Sequence, residues 1–159
     1  MSINEMNVDY FTTLAESKEW LQKNVRNGVI CPCCDRFDKI YNYSLPLSSV
    51  KALTRLGKIS RMNTDYVAHY TEFNNNKSQT FVKFQYINLV FQPETEEGST
   101  KKTSGNWSIT EKGIDFIQGR ISIPSHLIIY HNELIGVSET NKYIDDFWSD
   151  FNYKEMMDS

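Results

Sequence analysis

Cys31-Pro32-Cys33-Cys34 gathers all three cysteines of the chain into four positions, and two chemistries suit such a cluster. Thiolates at the Cys31–Cys34 spacing form a knuckle that can share a zinc ion. A closed structural site needs four ligands, however, and there is no second cysteine pair; Cys33 points away from a tetrahedral pair, and His69, His126 and His131 are scattered along the chain. The other chemistry is redox. A reactive, low-pKa thiolate needs a helix N-terminus directly after a strand, whereas Tyr41-Asn42-Tyr43-Ser44 and Pro46 interrupt the downstream stretch too early for a long helix. The expectation is a vestigial knuckle or a buried-thiol turn, with no metal and no cofactor. No glycine-rich phosphate loop occurs, and the histidines have no serine or cysteine at a recognisable catalytic spacing. Asp145-Asp146 suits a solvated helix face, and Trp107 and Tyr130 suit the core. No residue is expected to be catalytic, so a non-enzyme is anticipated.

The elements that must position these residues follow from periodicity. Residues 9–27 place Phe11, Leu14, Ala15, Leu21 and Val25 roughly on one helical face, with Asn7 or Asp9 as cap and Gly28 as stop. Tyr41, Tyr43 and Leu45 alternate with polar residues as a short strand ending at Pro46. Ser48 or Ser49 opens a second helix carrying Val50, Leu53 and Leu56 to a stop at Gly57. Asn63 or Thr64 caps a third, with Tyr66, Val67, Tyr70 and Phe73. Residues 78–91 are read as a helix running into a strand at Leu89-Val90-Phe91, although alternation also allows a strand. Gln92 to Gly105 holds no apolar residue and forms a long hairpin tip. Trp107-Ser108-Ile109 is a strand, and Thr110 caps a helix with Ile114, Phe116 and Ile117. Residues 121–137 form strands joined by a turn at His131-Asn132. A last helix over 141–153 gathers Tyr143, Ile144, Phe147, Trp148 and Phe151 on one side.

The order helix, helix, helix, strand, hairpin tip, strand, helix resembles that of a winged helix. The run Trp107-Ser108-Ile109-Thr110-Glu111-Lys112-Gly113 is similar to the strand-to-helix step after the wing in MarR-like regulators. Its local logic is that Thr110 caps the helix while Gly113 lets it approach the preceding strand. A broader pattern over residues 28–135 resembles uncharacterised phage-encoded proteins: Cys31-Pro32 with Cys34, Lys39 before Tyr41, then Gly105 and Trp107 through Phe116 and Pro124. These resemblances imply an α+β, winged-helix-like domain over 1–138, with an N-terminal helix, a β-hairpin wing and a small antiparallel sheet. A C-terminal acidic aromatic helix over 139–159 is appended. Cys31-Pro32-Cys33-Cys34 also resembles the redox pair of glutaredoxin-type proteins, and Ile123-Pro124-Ser125 through Ile129 resembles the thioredoxin segment beside such a disulfide. That alternative implies a thiol-disulfide oxidoreductase, but some 90 residues separate Cys34 from Pro124, about twice the span usual there.

Charge distribution sets the partners. The net charge is −3, yet residues 31–62 carry six basic groups against two acidic ones, and 139–159 carry two basic against six acidic. Nucleic-acid binders usually show a stronger positive excess over the whole domain. A nucleic-acid-binding regulator would use Lys51, Arg55, Lys58 and Arg61 with the wing residues Lys101 and Lys102. The wing offers no arginine, so the first expectation is a phage or mobile-element protein that binds and modulates a host protein or a protein–RNA/DNA complex. Inhibition of bacterial defence, as by an anti-CRISPR protein, is the analogy. That contact would use Tyr143, Asp146, Phe147, Trp148 and Asp150, and the terminal helices could also form a homodimer. The sequence has no secretory signal and no apolar run near the roughly 18–20 residues that span a bilayer. The expected site of action is the cytoplasm, the host's if the protein is viral.

Overall fold

A computed structural model describes residues 12–74, 79–93 and 105–158 as a mixed α+β chain of several helices and small antiparallel sheets. It divides into two units. One holds the described residues up to Tyr43 together with Leu127–Val137; the other holds Ser44–His126 and the stretch from Ser138 onward.

In the first unit, α1 (Leu14–Asn24) starts after Thr13, whose hydroxyl accepts the Glu16 amide at 3.2 Å. A serine or threonine oxygen there satisfies a helix-end donor, so Thr13 takes the capping role expected of Asn7 or Asp9. The buried face is also rotated from the expected one. Ser17, Asn24 and Val25 face inward, whereas Leu14 is 61% exposed. A 3₁₀ turn over Val25–Asn27 ends at Gly28, where φ is +86° and glycine is favoured. Strands β1 (Val29–Ile30) and β2 (Phe37–Asp38) pair antiparallel around the cysteine turn. Strand β3 (Tyr41–Ser44) joins β8 (His126–Tyr130) and β9 (Glu133–Val137) in a three-stranded sheet. His131 and Asn132 connect β8 to β9 with φ of 48° and 62°, the paired positive values of a tight two-residue hairpin.

The second unit is organised by α2 (Leu47–Ile59), whose Val50, Ala52, Leu53 and Leu56 are wholly buried. Gly57 does not stop this helix. It lies inside it, where an added Cβ would come within 2.8 Å of the Ile117 side chain. The turn comes at Arg61 and Met62, both at positive φ, with the Met62 amide donating to the Gly57 carbonyl at 2.9 Å. The third helix expected from residue 63 is mostly absent. Asn63 instead accepts the Asp65 amide through its side chain at 2.9 Å, a local turn that competes with helix. Only α3 (Tyr70–Phe73) is helical, following the two-residue strand β4 (Ala68–His69).

Gln79–Ile87 is a 3₁₀ segment leading into β5 (Val90–Phe91), so the helix-then-strand reading of 78–91 holds for the described part. Strand β5 pairs antiparallel with β6 (Asn106–Ile109), Val90 opposite Ile109, and β4 pairs on the other edge of β6. The tip expected over 92–105 lies outside the described residues from 94 to 104. Then α4 (Glu111–Ile117) opens on Thr110, whose hydroxyl accepts the Gly113 amide at 3.0 Å. Phe81 sits at the centre of the core with ring centroids 5.0 Å from Phe73, 5.9 Å from Phe84 and 5.5 Å from Trp107. Tilted and edge-on contacts of this kind suit aromatic quadrupoles.

The C-terminal stretch is not one helix. Strand β7 (Ile123–Pro124) pairs with β10 (Asn141–Lys142), followed by α5 (Ile144–Phe147) and α6 (Tyr153–Asp158). At Trp148 the backbone leaves the helical region, with φ −138° and ψ 89°. Among the described residues, no helix is long and apolar enough to cross a membrane.

Candidate functional site

The cations of α2 and the aromatic C-terminal stretch, expected to serve different partners, meet in one groove. Lys51, Arg55 and Lys58 stand at i, i+4 and i+7 and so share a helix face. With Thr54, Trp148 and Met156 they line a groove of about 320 Å³. The Lys51 ammonium lies 5.1 Å from the centroid of the Trp148 ring, within cation–π range. Arg55 donates from Nη1 to the Phe73 carbonyl at 3.2 Å, which ties its guanidinium to the end of α3. Arg61 is exposed in the turn after α2 and does not line the groove, and Lys101 and Lys102 lie outside the described residues.

The acidic aromatic residues are divided among several tasks. Tyr143 is 46% exposed. The Asp146 carboxylate accepts the Tyr143 amide at 2.8 Å and so caps its own helix. Phe147 packs edge-on against Phe116 at 6.0 Å and lies beneath Lys142. Trp148 also contacts Phe151, 5.2 Å between centroids. Asp145 and Asp150 are exposed. The aromatic stripe therefore packs largely onto its own unit and leaves an acidic rim.

In the other unit the cysteine turn is a hairpin end. The Cys31 amide donates to the Arg36 carbonyl at 2.7 Å, the Asp35 amide donates to the Cys31 carbonyl at 3.0 Å, and Asp35 takes φ 60°. The chain then turns into β2, so no helix N-terminus follows the cysteines. All three are free thiols; Cys31 is buried, while Cys33 and Cys34 are exposed. Backbone amides of Cys33 and Cys34 hydrogen-bond the Cys31 sulfur and hold its pKa below the ordinary thiol value, with a further hydrogen bond from the Cys34 side chain; burial and the charge of Asp38 oppose the shift. A thiolate stabilised only in the folded state contributes stability fully above the unfolded pKa, and that contribution fades as pH falls through the lowered folded one. Under reducing conditions, the destabilisation caused by Cys31→Ser is therefore expected to grow as pH rises toward about 8.5, the ordinary thiol value. Urea unfolding at several pH values checks this, and a pH-independent difference would show that the amides do not hold a thiolate.

One cluster gave no signal in the sequence because its members are far apart in the chain. Asp38 is almost buried; its carboxylate meets His131 Nε2 at 2.7 Å and accepts the Tyr130 hydroxyl at 3.4 Å. Burial, and then the Asp38 charge, push the Tyr130 phenol above its usual range. The residues lie beside the β8–β9 turn, where the carboxylate can anchor the hairpin. A second unanticipated contact joins Ser125 Oγ to His126 Nδ1 at 2.9 Å and to Ser138 Oγ at 3.1 Å. Since Ser138 also accepts the His126 amide at 3.1 Å, this network stitches two strand ends together. Among the described residues, no three His, Cys, Asp or Glu side chains converge in a way that could hold a metal ion.

No family model, no curated protein and no solved structure matches the chain.

Proposed function

We propose that this chain is a winged-helix-like module that acts by binding rather than catalysis, and that its cationic groove on α2 receives the phosphates of a nucleic acid, free or within a nucleoprotein. The observation that carries this reading is the convergence of Lys51, Arg55 and Lys58 on one groove with the Trp148 ring beside them. Three cations on one face offset the overall negative charge locally, and phosphate contacts depend on local rather than net charge. The scaffold reading draws support from the succession α2, β4, α3, 3₁₀ segment, β5, β6 and from the strand order β4-β6-β5. The groove lies on the first helix of that succession, so it positions a backbone and carries no sequence readout.

Duplex binding through three phosphates is expected to weaken with salt, log K falling against log salt with a slope of about −2 to −3. Fluorescence anisotropy with a labelled duplex measures it. A slope near zero, or no binding at low salt, would remove the nucleic-acid reading.

The exposed Asp145 and Asp150, in the same stretch as the exposed Tyr143, favour a second reading, in which the acidic rim meets a cationic groove on a host protein, as an inhibitor carried by a phage or mobile element would. Pull-down from a bacterial lysate with and without nuclease separates the two. Recovery of one protein irrespective of nuclease, lost on Asp150→Lys, would favour the inhibitor.

A further inference from the structure

We infer that Cys31 and Cys34 are a redox-responsive pair that closes to a reversible disulfide by exchange with small-molecule disulfides, while Cys33 between them stays free. The pair belongs to the unit that does not contain α2, so the inference stands apart from the binding role proposed for the cationic groove. The two thiols are themselves the groups oxidised and reduced, and no turnover is involved.

Three observations select these two sulfurs. The first is the turn itself. The Asp35 amide donates to the Cys31 carbonyl at 3.0 Å, and the turn this closes carries Cys31 and Cys34 at its first and fourth positions. Residues so placed in a tight turn have Cα atoms within about 7 Å, and a disulfide spans about 4.4–6.8 Å between Cα atoms. The second observation is contact. The Cys34 side chain hydrogen-bonds the Cys31 sulfur, whereas Cys33 hydrogen-bonds it through the backbone amide. The third is access: Cys31 is buried, at 8% exposure, and Cys34 is exposed. An oxidant from solvent therefore meets Cys34 first. Cys31 need not be reached from outside, because its partner is already against it.

The exchange balances with one co-reactant, a small disulfide such as glutathione disulfide. The Cys34 thiolate attacks one sulfur of that disulfide, forming a mixed disulfide and releasing one glutathione thiolate. Cys31 then attacks the Cys34 sulfur, the bond from Cys34 to glutathione breaks, and the second glutathione leaves as thiolate. Two protein thiols lose two electrons and two protons, and the small disulfide gains both and ends as two thiols. The attacking sulfur in such a step is a thiolate. At Cys31 two backbone N–H groups, from Cys33 and Cys34, point at the sulfur and do locally what a helix N-terminus does elsewhere. Those hydrogen bonds favour the reduced state, so the disulfide is readily reduced again and is not a permanent staple. Pairings with Cys33 are disfavoured because a bridge between neighbours, or across one intervening residue, departs from relaxed disulfide geometry.

The test is incubation of the full chain in glutathione buffers of graded oxidised-to-reduced ratio, quenched with acid, alkylated and read by intact mass and peptide fragmentation. The folded chain is expected to lose two hydrogens, with Cys33 alone alkylated, and to return fully to three alkylated thiols when reduced glutathione is restored. Cys33→Ser, at an exposed position, should leave this behaviour unchanged, and Cys34→Ser should abolish it. Cys31→Ser should stop at a glutathione adduct on Cys34, which is short-lived in the parent because Cys31 resolves it. Should Cys31→Ser fail to fold, the contrast between the Cys33 and Cys34 variants still decides. In urea the turn is lost, and pairings with Cys33 should appear beside the Cys31–Cys34 bond. A disulfide to Cys33 in the folded chain, a glutathione adduct that persists in the parent, the same mixture of pairings with and without urea, or no oxidation across the series would overturn the inference.

Discussion

Replacing Lys51 and Lys58 together by glutamate is expected to weaken nucleic-acid binding on the order of 100-fold at about 0.1 M salt. The two residues stand seven apart on α2 and line the same groove, so the substitution turns two attractive phosphate contacts into two repulsive ones. Arg55 is left in place because its guanidinium also holds the Phe73 carbonyl, and changing it would confuse binding with packing. Both lysines are half-buried rather than core residues, so the thermal midpoint of the variant should stay within a few degrees of the parent. Lys51→Glu alone should have a further signature: it frees the Trp148 ring from its cation and should alter the indole fluorescence. Asp150→Asn changes charge outside the groove lining and should leave the affinity at or slightly above the parent value. Affinity within twofold of the parent in a folded double variant would end the proposal for this groove.

How far the sequence could be read depended on whether a local rule had to compete with a tertiary contact. The His131-Asn132 turn was legible because the pair tolerates the left-handed conformations a two-residue hairpin imposes, and the flanking strands alternate in burial. The Thr110 cap was legible for a similar reason: its spacing to Gly113 is a local hydrogen-bond geometry. Where a pattern fitted two outcomes, packing decided. Tyr66, Val67, Tyr70 and Phe73 have helical spacing, yet Tyr66 and Val67 are exposed, and the Asn63 side chain satisfies the backbone in a turn instead. Tyr143 through Phe151 also have helical spacing. There the pairing of Lys142 with Ile123 fixes the entry, and the turn at Trp148 brings its ring onto Lys51. Gly57 looked like a helix stop by residue type alone; its role is to let α2 and α4 approach.

The candidate site was legible in its parts and not in its assembly. Lys51, Arg55 and Lys58 stand out as a cationic run, and Trp148 stands out as an aromatic in an acidic stretch. Nothing local says that residues some 90 positions apart line one groove. The same holds for Asp38 with Tyr130 and His131, where only the fold brings the carboxylate to the hairpin turn.

Gly113→Ala is expected to produce the largest loss of stability among single substitutions of the glycines. A Cβ at this position would lie 2.3 Å from the Leu89 carbonyl oxygen and 2.9 Å from Ile109 Cγ1. The first neighbour is backbone and is already engaged, because the Leu89 carbonyl accepts the Thr110 amide at 3.1 Å. It cannot swing aside as a side-chain tip could. Relief requires α4 to lift away from the start of β5, which would strain the Thr110 hydrogen bonds and loosen the wholly buried Phe116 and Ile117. Overpacking a tight core costs about 1–3 kcal/mol, and a backbone clash belongs at or above the top of that range. For a chain of this size, about 3 kcal/mol lowers the thermal midpoint by roughly 10 °C. Two other glycines separate the steric cause from a general effect of adding a methyl group. Gly119 has nothing within 4 Å but a φ of +77°, so Gly119→Ala should cost only about 1 kcal/mol, from backbone strain. Gly136, in β9, would meet Ile128 at 3.6 Å, an ordinary contact, and Gly136→Ala should change stability by less than about 1 kcal/mol. Thermal unfolding of the three variants gives the order directly. If Gly113→Ala unfolds no earlier than Gly119→Ala, then α4 does not press its backbone against β5, and the close approach assigned to the Thr110–Gly113 step is wrong.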